Sequence, residues 1–415
     1  MILLYIDPGT GSMLFTILIG ILSSLLFVFR KLFIRLKFTF SAGRDSRLAS
    51  KQYPFVIFSD SKRYWNVFKP VCDEFERRCI ELIYWTASPD DPALAADYKY
   101  VTCSFIGEGN KAFAKLNTLN ADVVLSTTPG LDVYQWKRSK GVKYYVHIFH
   151  AVDEALGYRM FGMDYYDAVL LTGQFQGENI RKLEKLRSLP EKELRVTGCT
   201  YMDELYEKHM NTPEPAHEKT VLIAPSWGKS AILSRFGGAL IEALLETDYR
   251  IIIRPHPQSA VSEKEMLDEL IQRFPDNERL CWSFDNNNFD AMNRSDVMIT
   301  DFSGIIFDYS LVFGKPILYA DTSFDRSPYD AAWIDEPLWR FEVLPELGKP
   351  LDAKDFPSIQ PLLDDLIANP SFAEGRRKVT GQAWQKIGQS AVLTVDYLIE
   401  KQKQTEDNCY GEPAI

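Results

Sequence analysis

Hydrophobic positions follow two different patterns along the chain. Between Pro8 and Phe29 there is no charged residue, and the stretch SMLFTILIGILSSLLFVF is strongly apolar. Beyond residue 50, short runs rich in Val, Ile, Tyr and Phe alternate with segments whose apolar residues recur at helical spacing. The first pattern predicts a membrane-spanning helix, and the second predicts an α/β body.

The body contains two series of predicted strands. Near-continuous apolar runs with helical patterns between them are typical of parallel strands that are covered on both faces. The first series lies at 53–59, 79–85, 100–105, 122–127, 143–149, 167–173 and 194–198, and the second at 220–226, 249–255, 279–284, 296–300 and 315–320. Because the polar segment 209–219 separates the two series, we predict two doubly wound parallel-sheet domains with a cleft between them.

The apolar N-terminal segment predicts a transmembrane helix over residues 11–29. At 1.5 Å per residue this segment would span about 28 Å, close to the ~30 Å hydrocarbon core of a bilayer. A cleaved signal peptide fits less well, because no basic residue precedes the apolar run and no clear small-residue cleavage site follows it. A buried core helix is the other alternative.

The charge beside the predicted helix indicates its orientation. Residues 30–50 hold six basic residues and one acidic residue. By the positive-inside rule this basic juxtamembrane segment lies in the cytoplasm and residues 1–10 lie outside it. The mixed segment KLFIRLKF (31–38) also suits an anionic membrane interface. We therefore predict a single-pass protein of the cytoplasmic (inner) membrane whose large domain is cytoplasmic.

Composition excludes several classes of partner. The formal net charge of the chain is −10, and the 41 basic and 55 acidic residues beyond position 50 give a net charge of −14. An acidic body is a poor match for nucleic acid, which binds basic surfaces. The six cysteines lack C-x-x-C spacing, which argues against a zinc site and against a secreted disulfide framework. No metal and no cofactor is expected.

Ligands of parallel sheets bind at the carboxyl ends of the strands, so the residues that follow each strand are the candidates. His150 ends one predicted strand, and its ordinary pKa near 6.5 suits a general base. A structural histidine that caps the next helix is the alternative, and position alone does not separate the two. His147 lies within the strand and is expected to pack. Ser226 and Gly228 lie in a polar turn whose amides could approach a ligand, although a plain strand-to-helix loop is the simpler explanation of the turn taken alone.

The segment RPHP at 254–257 is a sharper signal. It follows three buried isoleucines, and its two prolines hold His256 in a rigid turn. Arg254 and His256 together supply donors for phosphate oxygens, and a protonated His256 could also protonate a leaving group. A turn that is merely rigid is the alternative.

The segment TDFSG at 300–304 ends another predicted strand directly before a helical pattern. We predict Ser303 as the N-cap and Gly304 as the first helical residue, with free amides that favour an anion. Asp301 and Asp308 would repel a phosphate, so we expect them to accept ribose or glycerol hydroxyls or to orient a histidine. An ordinary capped helix is the alternative, but it does not explain why Thr300, Asp301 and Asp308 crowd one helix start.

These two segments together resemble the CDP-glycerol:poly(glycerophosphate) glycerophosphotransferase family. Its pattern is R-x-H-P followed downstream by [ST]-D-[YF]-S-[SG]-x-x-F-D. The residues that match are Arg254, His256, Pro257, Asp301, Ser303, Phe307 and Asp308. The family also has an upstream His-Gly pair; His150 matches it, but Ala151 replaces the glycine, and Asp153 and Glu154 stand where Pro and Lys are usual. The resemblance covers about residues 140–330.

The resemblance implies a GT-B-like architecture, with an acceptor domain over 51–212, a donor-nucleotide domain over 213–402 and a flexible tail over 403–415. It implies transfer of glycerol phosphate, or a related polyol phosphate, from CDP-glycerol or a similar CDP-alcohol to a hydroxyl, with release of CMP. His150 would be the base. Arg254, His256 and the amides at Ser303–Gly304 would bind the pyrophosphate. The membrane helix suits a lipid-linked or cell-surface polysaccharide acceptor, as in teichoic acid synthesis.

Two other functions fit the same pattern. One is a nucleotide-sugar glycosyltransferase or epimerase on the same two-domain fold, because fold does not determine function. The other is a non-catalytic, membrane-tethered binding module, for which the altered segment HAVDE (150–154) is the best support. The aromatic-rich segment 329–347 is expected to be core, with an acceptor groove or a membrane-facing lip as alternatives.

Overall fold

A computed structural model describes residues 51–285, 288–320 and 325–410. Its first sheet has seven parallel strands in the order β3-β2-β1-β4-β5-β6-β7. Their bounds are β1 Tyr53–Ser59, β2 Leu82–Thr86, β3 Val101–Phe105, β4 Asn120–Ser126, β5 Gly141–Ile148, β6 Ala168–Leu171 and β7 Glu193–Val196. The reversal of strand order at β1 and β4 is that of a doubly wound fold.

The second sheet has six parallel strands in the order β10-β9-β8-β11-β12-β13. Their bounds are β8 Thr220–Ile223, β9 Arg250–Ile253, β10 Leu280–Trp282, β11 Val297–Thr300, β12 Ile317–Ala320 and β13 Gly348–Leu351. The order again reverses beside the first strand, between β8 and β11. The predicted pair of doubly wound parallel sheets is thus confirmed.

Helices connect most successive strands, and three more helices follow β13. They are Trp65–Arg77, Asn110–Leu116, Phe175–Arg187, Thr200–Asn211, Ile232–Arg235, Gly237–Leu245, Ser259–Ser262, Lys264–Arg273, Phe289–Asn293, Ile305–Phe307, Trp339–Glu342, Leu344–Leu347, Ile359–Ala368, Ser371–Ala383 and Ser390–Tyr410. Short 3-10 turns lie at Lys62–Tyr64, Pro92–Ala95, Ala155–Gly157, Asp330–Trp333 and Ala353–Ser358, and a π-helical turn spans Asp308–Val312.

Both faces of each sheet are covered, which is why the strands are apolar without alternation. Neighbouring residues of a strand point to opposite faces, yet Ile57 and Phe58 are both fully buried and belong to different core clusters. The same holds for Val221 and Leu222 in the second sheet. Each such side chain contributes about 1.5–3 kcal/mol by leaving water.

One strand was not predicted. β13, with the sequence GKPL, pairs with β12 at the edge of the second sheet. Glycine, lysine and proline are all poor strand formers, and proline is tolerated at an edge because one side of an edge strand forms no ladder. All twelve predicted strands are present, with ends shifted by up to three residues.

The last helix, Ser390–Tyr410, packs on the first sheet although it follows the second in sequence. Val395, Tyr397 and Leu398 are buried in the same cluster as Ile57. The predicted boundaries are corrected accordingly, because this part of 213–402 covers the first domain and residues 403–410 of the predicted tail are helical.

The aromatic-rich segment 329–347 joins the domains. Its residues Ala331, Ile334 and Leu338 are buried against Leu156 and Leu183 of the first domain. The ring of Trp339 lies 4.0 Å from that of Phe175 and 5.2 Å from that of Phe307, centroid to centroid. The expectation of a core role is met by these residues, whereas Trp333 is 43% exposed.

No helix within the described ranges is long and apolar enough to cross a membrane. The predicted span at 11–29 and the basic segment 30–50 lie outside the residues that the structure describes.

Candidate active site

The site is built at the carboxyl ends of the two sheets, and an arginine from the second domain connects them. Arg340 donates from Nη1 to the carbonyl oxygen of Phe302 at 3.3 Å and from Nη2 to the Asp153 carboxylate. Phe302 follows β11, and Asp153 follows β5. The predicted TDFSG and HAVDE segments therefore lie next to each other across the cleft.

His150 follows β5 directly and is half-buried. Its Nδ1 lies 3.1 Å from the Tyr158 hydroxyl and 3.3 Å from the Thr127 hydroxyl. Both hydroxyl oxygens can accept a hydrogen bond from Nδ1–H, and in that tautomer Nε2 carries the lone pair. Among the described residues nothing bonds to Nε2. The imidazole is therefore held at Nδ1, and in the tautomer with the hydrogen on Nδ1 its Nε2 can take a proton.

Burial lowers the pKa of His150, and the Arg63 charge lowers it further, while Asp153 raises it. The histidine is thus neutral near pH 7, which is the state a general base needs. His147 is different, because it is 0% exposed, packs against Phe149, Tyr158 and Tyr166, and has a pKa that burial lowers to about 3. As expected, it is a packing residue.

His256 lies across the cleft and is half-buried beside the ring of Trp227, with 6.4 Å between the centroids. Its Nδ1 accepts the amide N–H of Gln258 at 3.1 Å. Neutral His256 therefore carries its hydrogen on Nε2, where it can donate to a ligand oxygen. Burial and the Arg63 charge lower its pKa, and the carboxylates of Asp301 and Glu263 partly oppose them.

Arg254 does not face the cleft as predicted. It is 8% exposed, and its guanidinium donates to Asn288 Oδ1 at 2.6 Å, to Ser283 Oγ at 3.0 Å and to the Asp285 carbonyl. These bonds hold the chain after β10 beside the start of the His256 turn. Three of the five N–H groups of Arg254 are thus bonded to protein, which gives the residue a structural role, and its contact with the pyrophosphate stays a prediction.

Asp301 is also a positioning residue and not the expected ligand of hydroxyl groups. It is 1% exposed, and its two oxygens accept the amides of Ser226 and Ile232, each at 2.9 Å. Burial raises its pKa, whereas the amides of Ile232 and Ser226 oppose the rise. Thr300 is likewise internal, because its hydroxyl donates to the Ala224 carbonyl at 2.7 Å. Both residues tie β11 to the loop after β8.

That loop contains Ser226 and Gly228. Gly228 adopts φ +99°, a conformation that favours glycine, and its amide donates to Glu263 Oε1 at 2.8 Å. The two amides that the sequence offered to a ligand are thus bonded to carboxylates, Ser226 to Asp301 and Gly228 to Glu263. The loop as described is held by protein groups.

The helix start at TDFSG differs by one residue from the prediction. The N-cap is Gly304, no side chain caps it, and one α-helical turn over Ile305–Phe307 continues as the π-helical turn Asp308–Val312. Ser303 is half-buried, and Gly304 is exposed with open space where a Cβ would lie. Ser303 and Arg340 line opposite sides of a small hollow at this point.

Asp308 lies away from the strand ends. Its carboxylate accepts the Tyr201 hydroxyl at 3.0 Å, and burial raises its pKa to about 7. Tyr201 belongs to the helix that leads from the first domain to the second. Asp308 therefore joins the two domains and is too deeply placed for the predicted contact with a donor hydroxyl.

Glu154 was not predicted as a site residue. It is 0% exposed, and its carboxylate accepts the amides of Trp339 at 3.1 Å and Arg340 at 3.3 Å. Burial raises its pKa to about 7 although the Arg340 charge opposes the rise. The only sign of this contact in the sequence is the unusual pair Asp153-Glu154. Its partner Arg340 could not be predicted, because it lies far away in the sequence.

Metal ligation is not indicated by the described part of the chain, which has no group of three or more His, Cys, Asp or Glu residues placed to hold an ion. Its cysteines, Cys72, Cys79, Cys103, Cys199 and Cys281, are free thiols.

Comparison with known proteins confirms the resemblance drawn from the sequence. Residues 177–332 match the model of the CDP-Glycerol:Poly(glycerophosphate) glycerophosphotransferase family, which identifies the chain as a transferase. The matched range includes Arg254, His256 and the TDFSG segment, and it begins after His150. No curated protein sequence matches the chain.

Solved structures share the fold. The wall teichoic acid polymerase TagF superposes with a TM-score of 0.53 at 14% identity, over 92% of this chain and 96% of that one. The UDP-GlcNAc 2-epimerase from Neisseria meningitidis bound to UDP-GlcNAc superposes with a TM-score of 0.52 at 16% identity, over 84% of this chain and 100% of the epimerase. MnaA from S. aureus with UDP superposes with a TM-score of 0.54 at 14% identity, over 88% of this chain and 99% of MnaA. The two-domain α/β fold is therefore GT-B-like.

Proposed function

We propose that this chain is a membrane-anchored glycerophosphotransferase of teichoic-acid-type polymer synthesis. It transfers glycerol phosphate, or a related polyol phosphate, from a CDP-alcohol to a hydroxyl of a lipid-linked or cell-surface polysaccharide acceptor and releases CMP. The proposal retains the membrane helix at 11–29 and the cytoplasmic placement of the body as sequence predictions.

One observation carries the proposal. The family-matching segments around His256 and Ser303 lie at the strand ends of the second sheet, and Arg340 joins this edge to the segment that follows His150. A donor diphosphate bound at the second sheet would thus have a basic imidazole on its other side. The shared fold of TagF, a wall teichoic acid polymerase, supports the same class of product.

The reaction follows from this arrangement. The acceptor hydroxyl oxygen attacks the β-phosphorus of the CDP-alcohol, and a new P–O bond forms while His150 Nε2 takes the hydroxyl proton. The bond between the β-phosphorus and the bridging oxygen breaks, and CMP leaves with that electron pair. A phosphate monoester has a second pKa near 6, so CMP leaves as an anion without a proton from the protein.

His256 then acts as a hydrogen-bond donor and not as an acid. Its Nε2–H is directed by the bond that Nδ1 receives from Gln258, and charge on the departing phosphate strengthens that contact. The backbone at half-buried Ser303 and exposed Gly304 offers further donors to the diphosphate. Arg254 and Asp301 hold the two loops that carry these groups.

Nucleotide release tests the proposal. The full-length protein in detergent is incubated with a panel of CDP-alcohols and UDP-sugars and with lipid-linked and oligosaccharide acceptors. We expect acceptor-dependent CMP release from CDP-glycerol or a related CDP-alcohol. His150→Asn and His256→Asn should lose that turnover by about 10²–10⁴-fold while thermal unfolding is unchanged. Full rates in both variants would refute the assigned roles.

The same panel separates the alternatives. Thermal stabilisation by UDP or a UDP-sugar, without stabilisation by CMP or CDP-glycerol, would favour a nucleotide-sugar glycosyltransferase or epimerase. CMP binding without product from any acceptor would favour a non-catalytic binding module. Either result would overturn the proposed transfer.

A further inference from the structure

The site as described so far lacks a cation for the diphosphate. A nucleoside diphosphate ester carries two negative charges, and Arg254, the expected partner, is engaged with Asn288, Ser283 and Asp285. Guanidinium groups suit phosphate oxygens well, because two of their N–H donors can bond to two oxygens at once. An arginine that binds the diphosphate should therefore be one whose charge is not already paired with a carboxylate.

Arg63 meets this condition. It lies in the 3-10 turn Lys62–Tyr64, which follows the carboxyl end of β1, and its side chain is exposed. Its Nε donates to Ser61 Oγ at 3.2 Å. The neighbouring Lys62 forms an ion pair with Asp90, whereas no carboxylate of the described residues lies within 4.0 Å of the Arg63 guanidinium. One cation of the turn is paired and the other is available.

Contacts place Arg63 beside the proposed base. Its guanidinium carbon lies 5.8 Å from the centroid of the Tyr64 ring, and that ring lies 5.1 Å from the imidazole of His150. The Arg63 charge also acts on His256 in the other domain. The charge of Arg63 therefore reaches both histidines, and with them the space between the two strand-end clusters where the reacting phosphorus would be.

We propose that Arg63 binds the β-phosphoryl group of the nucleotide donor, on the side from which the acceptor hydroxyl attacks. This assignment rests on the proposed function for the identity of the donor. The planar guanidinium donates from Nη1 and Nη2 to two phosphoryl oxygens, while Nε stays on Ser61. It stabilises the charge on the equatorial oxygens as the acceptor bond forms and the bond to CMP breaks.

The turn limits the freedom of this arginine. Ser61 Oγ also accepts the amide of Arg63, so the backbone and the side chain of the residue share one anchor. A lysine at this position could supply the charge but not the bond from Nε or the paired donors. Arg63→Lys should therefore recover only part of the lost rate.

Binding measurements on the full-length protein in detergent test the inference. Wild type, Arg63→Gln and Arg63→Lys are compared with Lys62→Gln, which removes the same charge from the same turn. The probes are CMP, CDP, UDP and inorganic pyrophosphate, measured by calorimetry, with turnover of CDP-glycerol measured in parallel. In Arg63→Gln we expect about tenfold weaker CDP binding, CMP binding within about threefold of wild type, and 10²–10³-fold slower turnover. Lys62→Gln should match wild type.

A second readout does not depend on substrate. The chain has only five histidines, so selective isotope labelling makes their titration tractable. Because the Arg63 charge lowers the pKa of both His150 and His256, Arg63→Gln should raise both values while Lys62→Gln leaves them in place. Unchanged pKa values for both histidines in Arg63→Gln would show that the Arg63 charge lies too far from the two strand-end clusters to bind the donor phosphate, and would overturn the assignment.

The outcomes separate this inference from the proposed function. Unchanged CDP binding and turnover in Arg63→Gln would overturn the role of Arg63 and leave the transferase intact. If wild type binds UDP and not CDP, and Arg63→Gln loses that binding, the CDP donor is overturned and the contact between Arg63 and the diphosphate is supported. Absence of binding by every diphosphate to wild type would overturn both.

Discussion

The buried imidazole of His147 should make the stability of the chain depend on pH in a way that can be isolated. Its folded-state pKa is about 3, and its value in the unfolded chain is about 6.5. Between these values the unfolded state binds more protons, so stability falls as pH falls. From pH 7.5 to pH 5.0 the loss is about 2 kcal/mol, because each pKa unit corresponds to about 1.36 kcal/mol.

Two carboxyl groups act in the opposite direction. The pKa of Glu154 and that of Asp308 are each raised to about 7, so each group binds more protons in the folded state and favours folding as pH falls. The pH dependence of wild type therefore mixes terms of both signs. The difference in unfolding free energy between wild type and a His147 variant cancels the contributions of groups other than His147.

The assay is urea unfolding of full-length wild type, His147→Gln and His147→Asn at pH 7.5 and 5.0, followed by tryptophan fluorescence. Each neutral replacement lowers the free energy of unfolding below that of wild type through its own packing defect. This loss should be about 2 kcal/mol smaller at pH 5.0 than at pH 7.5, because the variants lack the buried imidazole that destabilises wild type at low pH. The packing term differs between Gln and Asn, whereas the change with pH is the same. If the difference in unfolding free energy between wild type and each variant is the same at both pH values within about 0.5 kcal/mol, the reasoning is refuted.

Three further predictions concern the polar contacts that join the site. Arg340→Met leaves buried carboxylates without their cation, so we expect about 3–5 kcal/mol lower stability at pH 8 in urea unfolding, and less at pH 5.5 where Glu154 is protonated. Asp301→Asn places an amide group against one of two backbone N–H donors, which should cost about 1–3 kcal/mol and weaken CDP binding in calorimetry. Tyr201→Phe removes the hydrogen bond to Asp308 and should lower the melting temperature and raise the pKa of that carboxyl, as infrared titration would show; an unchanged pKa would contradict the assignment.

The architecture was predictable because one local property, the apolar run buried on both faces, marks each internal strand. β13 escaped because GKPL has no such run, and an edge strand needs none. The position of the helix Ser390–Tyr410 was not predictable, since an apolar helix face does not reveal which sheet it covers. Strand ends likewise located His150 and His256 at the cleft, because topology alone brings them there.

The partners of the polar residues were not predictable from local sequence. Asp301 and Arg254 matched the family pattern, but a pattern does not distinguish a group that contacts ligand from one that holds the loop beside it. Asp301 bonds to the amides of Ser226 and Ile232, about 70 residues earlier in the chain. Arg63 was missed for the opposite reason, since it belongs to no matched segment and becomes notable only when it is known to form no ion pair within the described residues.

The departure from the family pattern at Asp153 and Glu154 has a structural explanation that bears on activity. Two carboxylates next to a phosphoryl-transfer site would repel the donor if they were unpaired. The structure pairs Asp153 with Arg340 and directs Glu154 to the amides of Trp339 and Arg340, so the added negative charge is balanced by the second domain. The altered segment is therefore accounted for by domain contact. It gives no support for lost turnover, because His150, the residue that the proposed chemistry needs from this segment, keeps a free Nε2 among the described residues.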